Sequence, residues 1–91
     1  MKPTSYKDFY PQIAFHPGET LMEKMNELGL DSKEIAAQTN LSEVTIIGII
    51  SGKSAISLNV AQQLDYFLKI PTHFWLNMQR NYDNYIALEK I

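Results

Sequence analysis

The chain has no cysteine among its 91 residues, so neither a disulfide nor a thiolate metal site is open to it. Arginine is almost as scarce. Arg80 is the only one, and eight basic residues face ten acidic ones for a net charge of −2. Proteins that grip nucleic acid by displacing counterions are commonly basic. Affinity of that kind would here have to rest on a few placed lysines, backbone amides and helix N-termini. No apolar run approaches the roughly 18 residues that cross a bilayer. The opening "MKPTSYKDFYPQ" also lacks the unbroken apolar stretch of a signal peptide. The expectation is a soluble, cytoplasmic protein with no membrane partner.

What is present reads as one small domain, because a chain of this length has little room for a second core. At 45% hydrophobic and 20% charged residues its composition is that of an ordinary globular protein. Residues 1–15 hold Tyr6, Phe9, Tyr10 and Phe15 between prolines and read as an aromatic arm, folded back on the domain or docked on a partner. "HPGETLMEKMNELGL" then gives a first helix. Pro17 suits its first turn, Leu21, Met25 and Leu28 recur at helical spacing, and Gly29 ends it. In "DSKEIAAQTN" Asp31 can cap a second helix while Glu34 reaches back, with Ile35 and Ala36 inward.

"LSEVTIIGIISGK" gives a third helix, capped by Ser42, with Ile46, Ile49 and Ile50 on the core side and Gly52 as its stop. "SAISLNVAQQLDYFLKI" gives a fourth, capped by Ser57, with Ala61, Leu64 and Leu68 on one side. "PTHFWLNMQRNYDNYIALEKI" gives a fifth, capped by Thr72 and running beyond the compact body through residues 84–91. With no strand and no repeat, the fold class is all-α, a five-helix bundle with short connections.

The second and third helices have the pattern of a helix-turn-helix. That motif needs a small residue where the helices touch, a turn residue that tolerates positive φ, and apolar residues that lock the second helix. Ala36, Asn40, and Leu41 with Ile46 and Ile49 meet these needs in turn. An ordinary helical hairpin is the alternative that the spacing leaves open. The local charge does not help a DNA reader. From Asp31 to Ser51 one lysine, Lys33, stands against Asp31, Glu34 and Glu43.

Three motifs carry a resemblance to a known family. "HPGETL" opens the first helix, "LSEVTIIGIISGKSAIS" covers the third helix and its exit, and "PTHFWLNMQRNYD" begins the fifth. Over residues 16–83 the chain resembles the HigA-type antitoxins, also described as plasmid-maintenance antidote or virulence-associated protein I proteins, of the lambda-repressor-like, XRE-type helix-turn-helix fold. The resemblance implies a dimeric DNA-binding antitoxin. Such a protein neutralises a HigB/RelE-like ribonuclease toxin by direct contact and represses its own operon at an operator. A stand-alone repressor of a phage or mobile element, and a helix-turn-helix interaction module without DNA readout, are the competing readings.

By position, the resemblance implies that Ser42 bonds a phosphate and that Glu43, Val44, Thr45, Ile47 and Gly48 face or line the major groove. Ser32, Lys33, Lys53 and Ser54 would touch phosphates. The chain departs from the family here, which commonly places arginine, glutamine, asparagine or serine at base-facing positions. Glu43 can only accept a hydrogen bond, which suits a cytosine amino group, and Val44, Thr45 and Ile47 suit thymine methyls. Trp75 is expected in the core or a dimer core, and with Leu76, Gln79, Tyr82, Tyr85 and Ile86 forms the candidate dimer contact. His16 and His73 have no second ligand at metal spacing, so no metal or other cofactor is expected, and His16 reads as a cap or packing residue at the first helix. No nucleophile–histidine–acid set, phosphate-cradling glycine loop or carboxylate pair suggests an enzyme.

Overall fold

The computed structural model describes residues 15–89, so the aromatic arm of residues 1–15 lies outside them except for Phe15. Five helices follow in order: α1 (Pro17–Leu28), α2 (Ser32–Thr39), α3 (Glu43–Ile50), α4 (Leu58–Leu68) and α5 (Thr72–Glu89). No strand occurs among the described residues.

Local chemistry accounts for most of the boundaries. His16 caps α1 through Nδ1, which accepts from the Gly18 N–H at 2.9 Å, and Pro17 takes the first turn, where its missing N–H leaves nothing unpaired. Gly29 ends the helix at φ 70°. At α2 the capping box is complete. Asp31 Oδ1 accepts from the Glu34 N–H and Glu34 Oε1 from the Asp31 N–H, each at 2.8 Å. Asn40 closes α2 at φ 58°, the left-handed turn its side chain tolerates best among the non-glycine residues.

One boundary differs from the sequence-based expectation, and another, which the sequence left unassigned, is closed by an unusual residue. Thr72 does not cap α5. It is the first helical residue, and its N–H and hydroxyl both donate to Asp65 Oδ2, each at 2.8 Å. The cap therefore comes from the preceding helix. Nor is α4 ended by glycine or asparagine, since Lys69 takes the left-handed position at φ 63°.

The core gathers Leu21 and Met25 from α1, Ile35 and Ala36 from α2, Ile46 and Ile49 from α3, Val60, Ala61 and Leu64 from α4, and Trp75 from α5, with Ile56 closing it from the α3–α4 loop. Leu41, Ile50 and Leu68 are half-buried against it, whereas Leu28 is exposed. The helices pack in a ring of neighbours: α1 on α3 and α5, α2 on α3 and α4, and α4 on α5. Gly18 sits where α1 meets α3 so closely that a Cβ there would overlap the carbonyl oxygen of Ile49. The two backbones touch, and this contact sets the pose of α3.

Helix α5 is about 27 Å long at 1.5 Å per residue, in a molecule measuring 44 × 26 × 20 Å. Its only buried residues, Trp75 and Gln79, lie in its first two turns. From Arg80 onward it runs along the surface.

Candidate nucleic-acid interface

Helix α3 is eight residues long and apolar on both sides. Its position relative to the core therefore decides which apolar residues are spent inside. Ile46 and Ile49 are fully buried. At 100° per residue, Val44 projects opposite them, with Ile47 and Gly48 on either flank. The exposures agree: Val44 is 80% and Ile47 46% exposed, and Glu43 is exposed. The α2–α3 turn at Asn40 is followed by an outward stripe of Glu43, Val44 and Ile47, four of the ten expected contact positions being on or beside it once Gly48 is included.

Ser42 starts the helix by accepting from the Thr45 N–H at 3.0 Å, and its hydroxyl donates to Thr45 Oγ1 at 2.8 Å. The Ser42 proton is therefore spent on Thr45, and Thr45 is turned toward the cap and half-buried rather than set on the outward stripe. What the helix start still offers is its backbone. The N–H groups of Glu43 and Val44 precede the first helical bond, from the Ile46 N–H to the Ser42 carbonyl at 3.1 Å, and point along the dipole toward any anion ahead of them.

Gly48, expected to line the groove, also has a role within the fold. The N–H groups of Lys53 and Ser54 both donate to its carbonyl, at 2.9 and 3.0 Å. A Cβ there would overlap the Ser54 hydroxyl. Its lack of a side chain lets the chain after α3 fold back over the helix, and this clamp holds Lys53 and Ser54 beside the outward stripe. Their side chains are exposed, but their amides are committed to Gly48 and offer nothing to a phosphate.

At the other edge, Ser32 is half-buried and Lys33 exposed in the first turn of α2. The local acidity is partly absorbed there. Asp31 and Glu34 are tied to each other's N–H groups in the capping box, so only Glu43 remains as a free carboxylate on the reading stripe. It too lies in a first turn, where the helix dipole favours it.

The α5 candidates divide. Trp75 is 0% exposed, enclosed by its own chain, with an indole N–H that meets no acceptor among the described residues. Gln79 is buried as well. Its Oε1 accepts from the Ile56 N–H at 2.8 Å, and its Nε2 donates to Asp83 Oδ1 at 2.9 Å. Both side chains are thus spent within the chain's own fold, and for Trp75 this is the core position already among its expectations. Leu76, Tyr82, Tyr85 and Ile86 are half-buried. Tyr82 meets His16 edge-to-face at 4.9 Å, closing a shallow hollow with Phe15, Glu19 and Ile50. Glu89, one turn beyond Tyr85, raises that tyrosine's pKa by hydrogen bonding and by its negative charge.

Comparison with known proteins agrees with this architecture. The helix-turn-helix family model matches residues 21–75. A HigA-family addiction module antidote protein from Coxiella burnetii superposes with a TM-score of 0.82 at 31% identity, covering 85% of each chain. The Pseudomonas aeruginosa antitoxin HigA, solved with the higBA promoter, gives 0.82 at 26% identity and 86% of each chain. The virulence-associated protein A' of Dichelobacter nodosus is 32% identical over 75% of this chain, which spans 60% of that relative's length.

Proposed function

The chain belongs to the helix-turn-helix family, among its HigA-type antitoxins, and from this membership we propose that it is the antitoxin of a type II toxin–antitoxin pair. In this reading it binds operator DNA as a homodimer to repress its own operon, and it neutralises a HigB/RelE-like ribonuclease by direct contact. The observation that carries the DNA half is the pose of α3. It is locked to the core by Ile46 and Ile49 and turned outward along Glu43, Val44 and Ile47, in an architecture shared with an antitoxin solved on promoter DNA. Ser32 and Lys33 on one side, and Lys53 and Ser54 on the other, take the phosphate contacts, and the Glu43 and Val44 amides add theirs.

A single head with so few cations binds weakly. Two heads on one dimer make the second contact intramolecular and recover affinity without new charge. Leu76 near the start of α5, with Tyr85 and Ile86 on its surface-running part, supplies that dimer contact.

The test is a mobility-shift titration of the full chain on the duplex upstream of its own gene, paired with co-expression of the adjacent gene product. Retarded DNA at micromolar dimer, a stable complex with the neighbour and rescue of growth are the expected results. Binding without rescue makes the chain a stand-alone repressor. A second reading is favoured by one observation, the exposed Val44 and Ile47 on a stripe without a cation: an interaction module that keeps the fold and contacts protein there. Absence of any shift at low salt selects it.

A further inference from the structure

The outward stripe of α3 has no side chain able to bond a purine edge bidentately through a donor. Guanine is read chiefly by bidentate arginine or lysine and adenine by bidentate asparagine or glutamine. Between Glu43 and Ile50 none of these occurs. The one hydroxyl, that of Thr45, is half-buried and bonded to Ser42. What projects instead is Val44 at the centre of the stripe and Ile47 one turn on, neither of them needed by the core. Residues three apart on a helix have Cβ atoms about 5–6 Å apart, so the pair makes one small apolar patch rather than two isolated side chains. The apolar feature that a major groove offers such a patch is the thymine 5-methyl group.

We propose that Val44 and Ile47 read the operator by apolar contact with thymine 5-methyl groups, so that each half-site is recognised through thymines at the positions facing α3. Glu43, at the head of the same stripe, accepts from a cytosine amino group. This inference rests on the DNA-binding reading above and adds the chemistry of recognition to it. It also explains how a stripe without a cation can discriminate, since the phosphate contacts come from residues outside it and the stripe need supply only shape and methyl burial.

The test uses duplexes selected by the full-length chain from a random library about 30 base pairs long, enough to hold two half-sites one helical turn apart. The selected duplex is remade with deoxyuridine in place of thymidine, which removes the 5-methyl groups and keeps Watson–Crick pairing. Affinity should fall about fourfold for each contacted methyl lost, the worth of one buried methyl group. The Val44→Ala and Ile47→Ala variants should bind the thymine duplex more weakly and respond less to the deoxyuridine change. That coupling separates direct contact from a change in duplex shape, which would affect all variants alike. Equal affinity of the native chain for both duplexes overturns the inference while leaving DNA binding intact. An undiminished response in the Val44→Ala, Ile47→Ala double variant overturns it also. Failure to select any duplex at low salt overturns the DNA-binding reading, and the inference with it.

Discussion

Replacing Gly18 with alanine tests how α3 is held. The added Cβ would overlap the Ile49 carbonyl oxygen, and it would lie 2.8 Å from the Ile49 carbonyl carbon and 3.1 Å from His16 Nδ1. The Ile49 obstacle is backbone, which cannot swing away as a side-chain tip does, so α1 and α3 must separate. A gap of 0.5–1 Å already forfeits about a quarter to a half of the dispersion well, here in the core cluster to which α1 gives Leu21 and α3 gives Ile46 and Ile49. Overpacking of this kind costs about 1–3 kcal/mol. Against it stands the gain from replacing glycine in a helix, at most about 1 kcal/mol and smaller in a first turn. The loss prevails. With about 4–8 °C of Tm per kcal/mol in a domain of this size, Gly18→Ala should melt several degrees below the native chain. Thermal unfolding followed by circular dichroism measures it, with Asn26→Ala on the exposed side of α1 as a control expected to stay within about 0.5 kcal/mol. A Tm for Gly18→Ala equal to or above the native value would refute the backbone contact and, with it, this account of what orients α3.

Other substitutions probe the remaining joints. Asn40→Ala should cost about 1 kcal/mol in urea unfolding, because alanine resists φ 58°, while Asn40→Gly should be nearly neutral; equal losses would mean the turn is held by something other than its φ. Gln79→Ala strands the buried Ile56 N–H and should destabilise by about 1–3 kcal/mol in the same assay; an unchanged midpoint would show that bond to be dispensable. Lys53→Ala should lower DNA affinity for all sequences alike and flatten the plot of log affinity against log salt by about 0.9. A slope equal to that of the native chain would remove Lys53 from the phosphate contacts.

The division between what was legible in the chain and what was not follows the range of the interactions. The caps at Ser42 and Ser57, the Asp31–Glu34 box, the stops at Gly29 and Gly52 and the left-handed Asn40 all join residues no more than a few positions apart. A linear string displays such relations directly, and with the apolar spacing they sufficed for five helices and for the helix-turn-helix. The outward stripe of α3 was likewise readable, once Ile46 and Ile49 were assigned to the core. Other features depend on distant segments meeting. Asp65 caps α5 from another helix, Gln79 serves Ile56 across 23 positions, and Gly18 admits the backbone of α3. The use of Gly48, which admits Ser54 over α3, likewise depends on the chain beyond the helix folding back. Trp75 was expected in the core or a dimer core, and the chain's own packing buries it; the burial of Gln79 had no signal in the string. Periodicity reports that a side chain has an inward direction; which surface lies in that direction is a property of three-dimensional assembly, where steric exclusion and buried hydrogen bonding choose among partners that the string leaves equivalent.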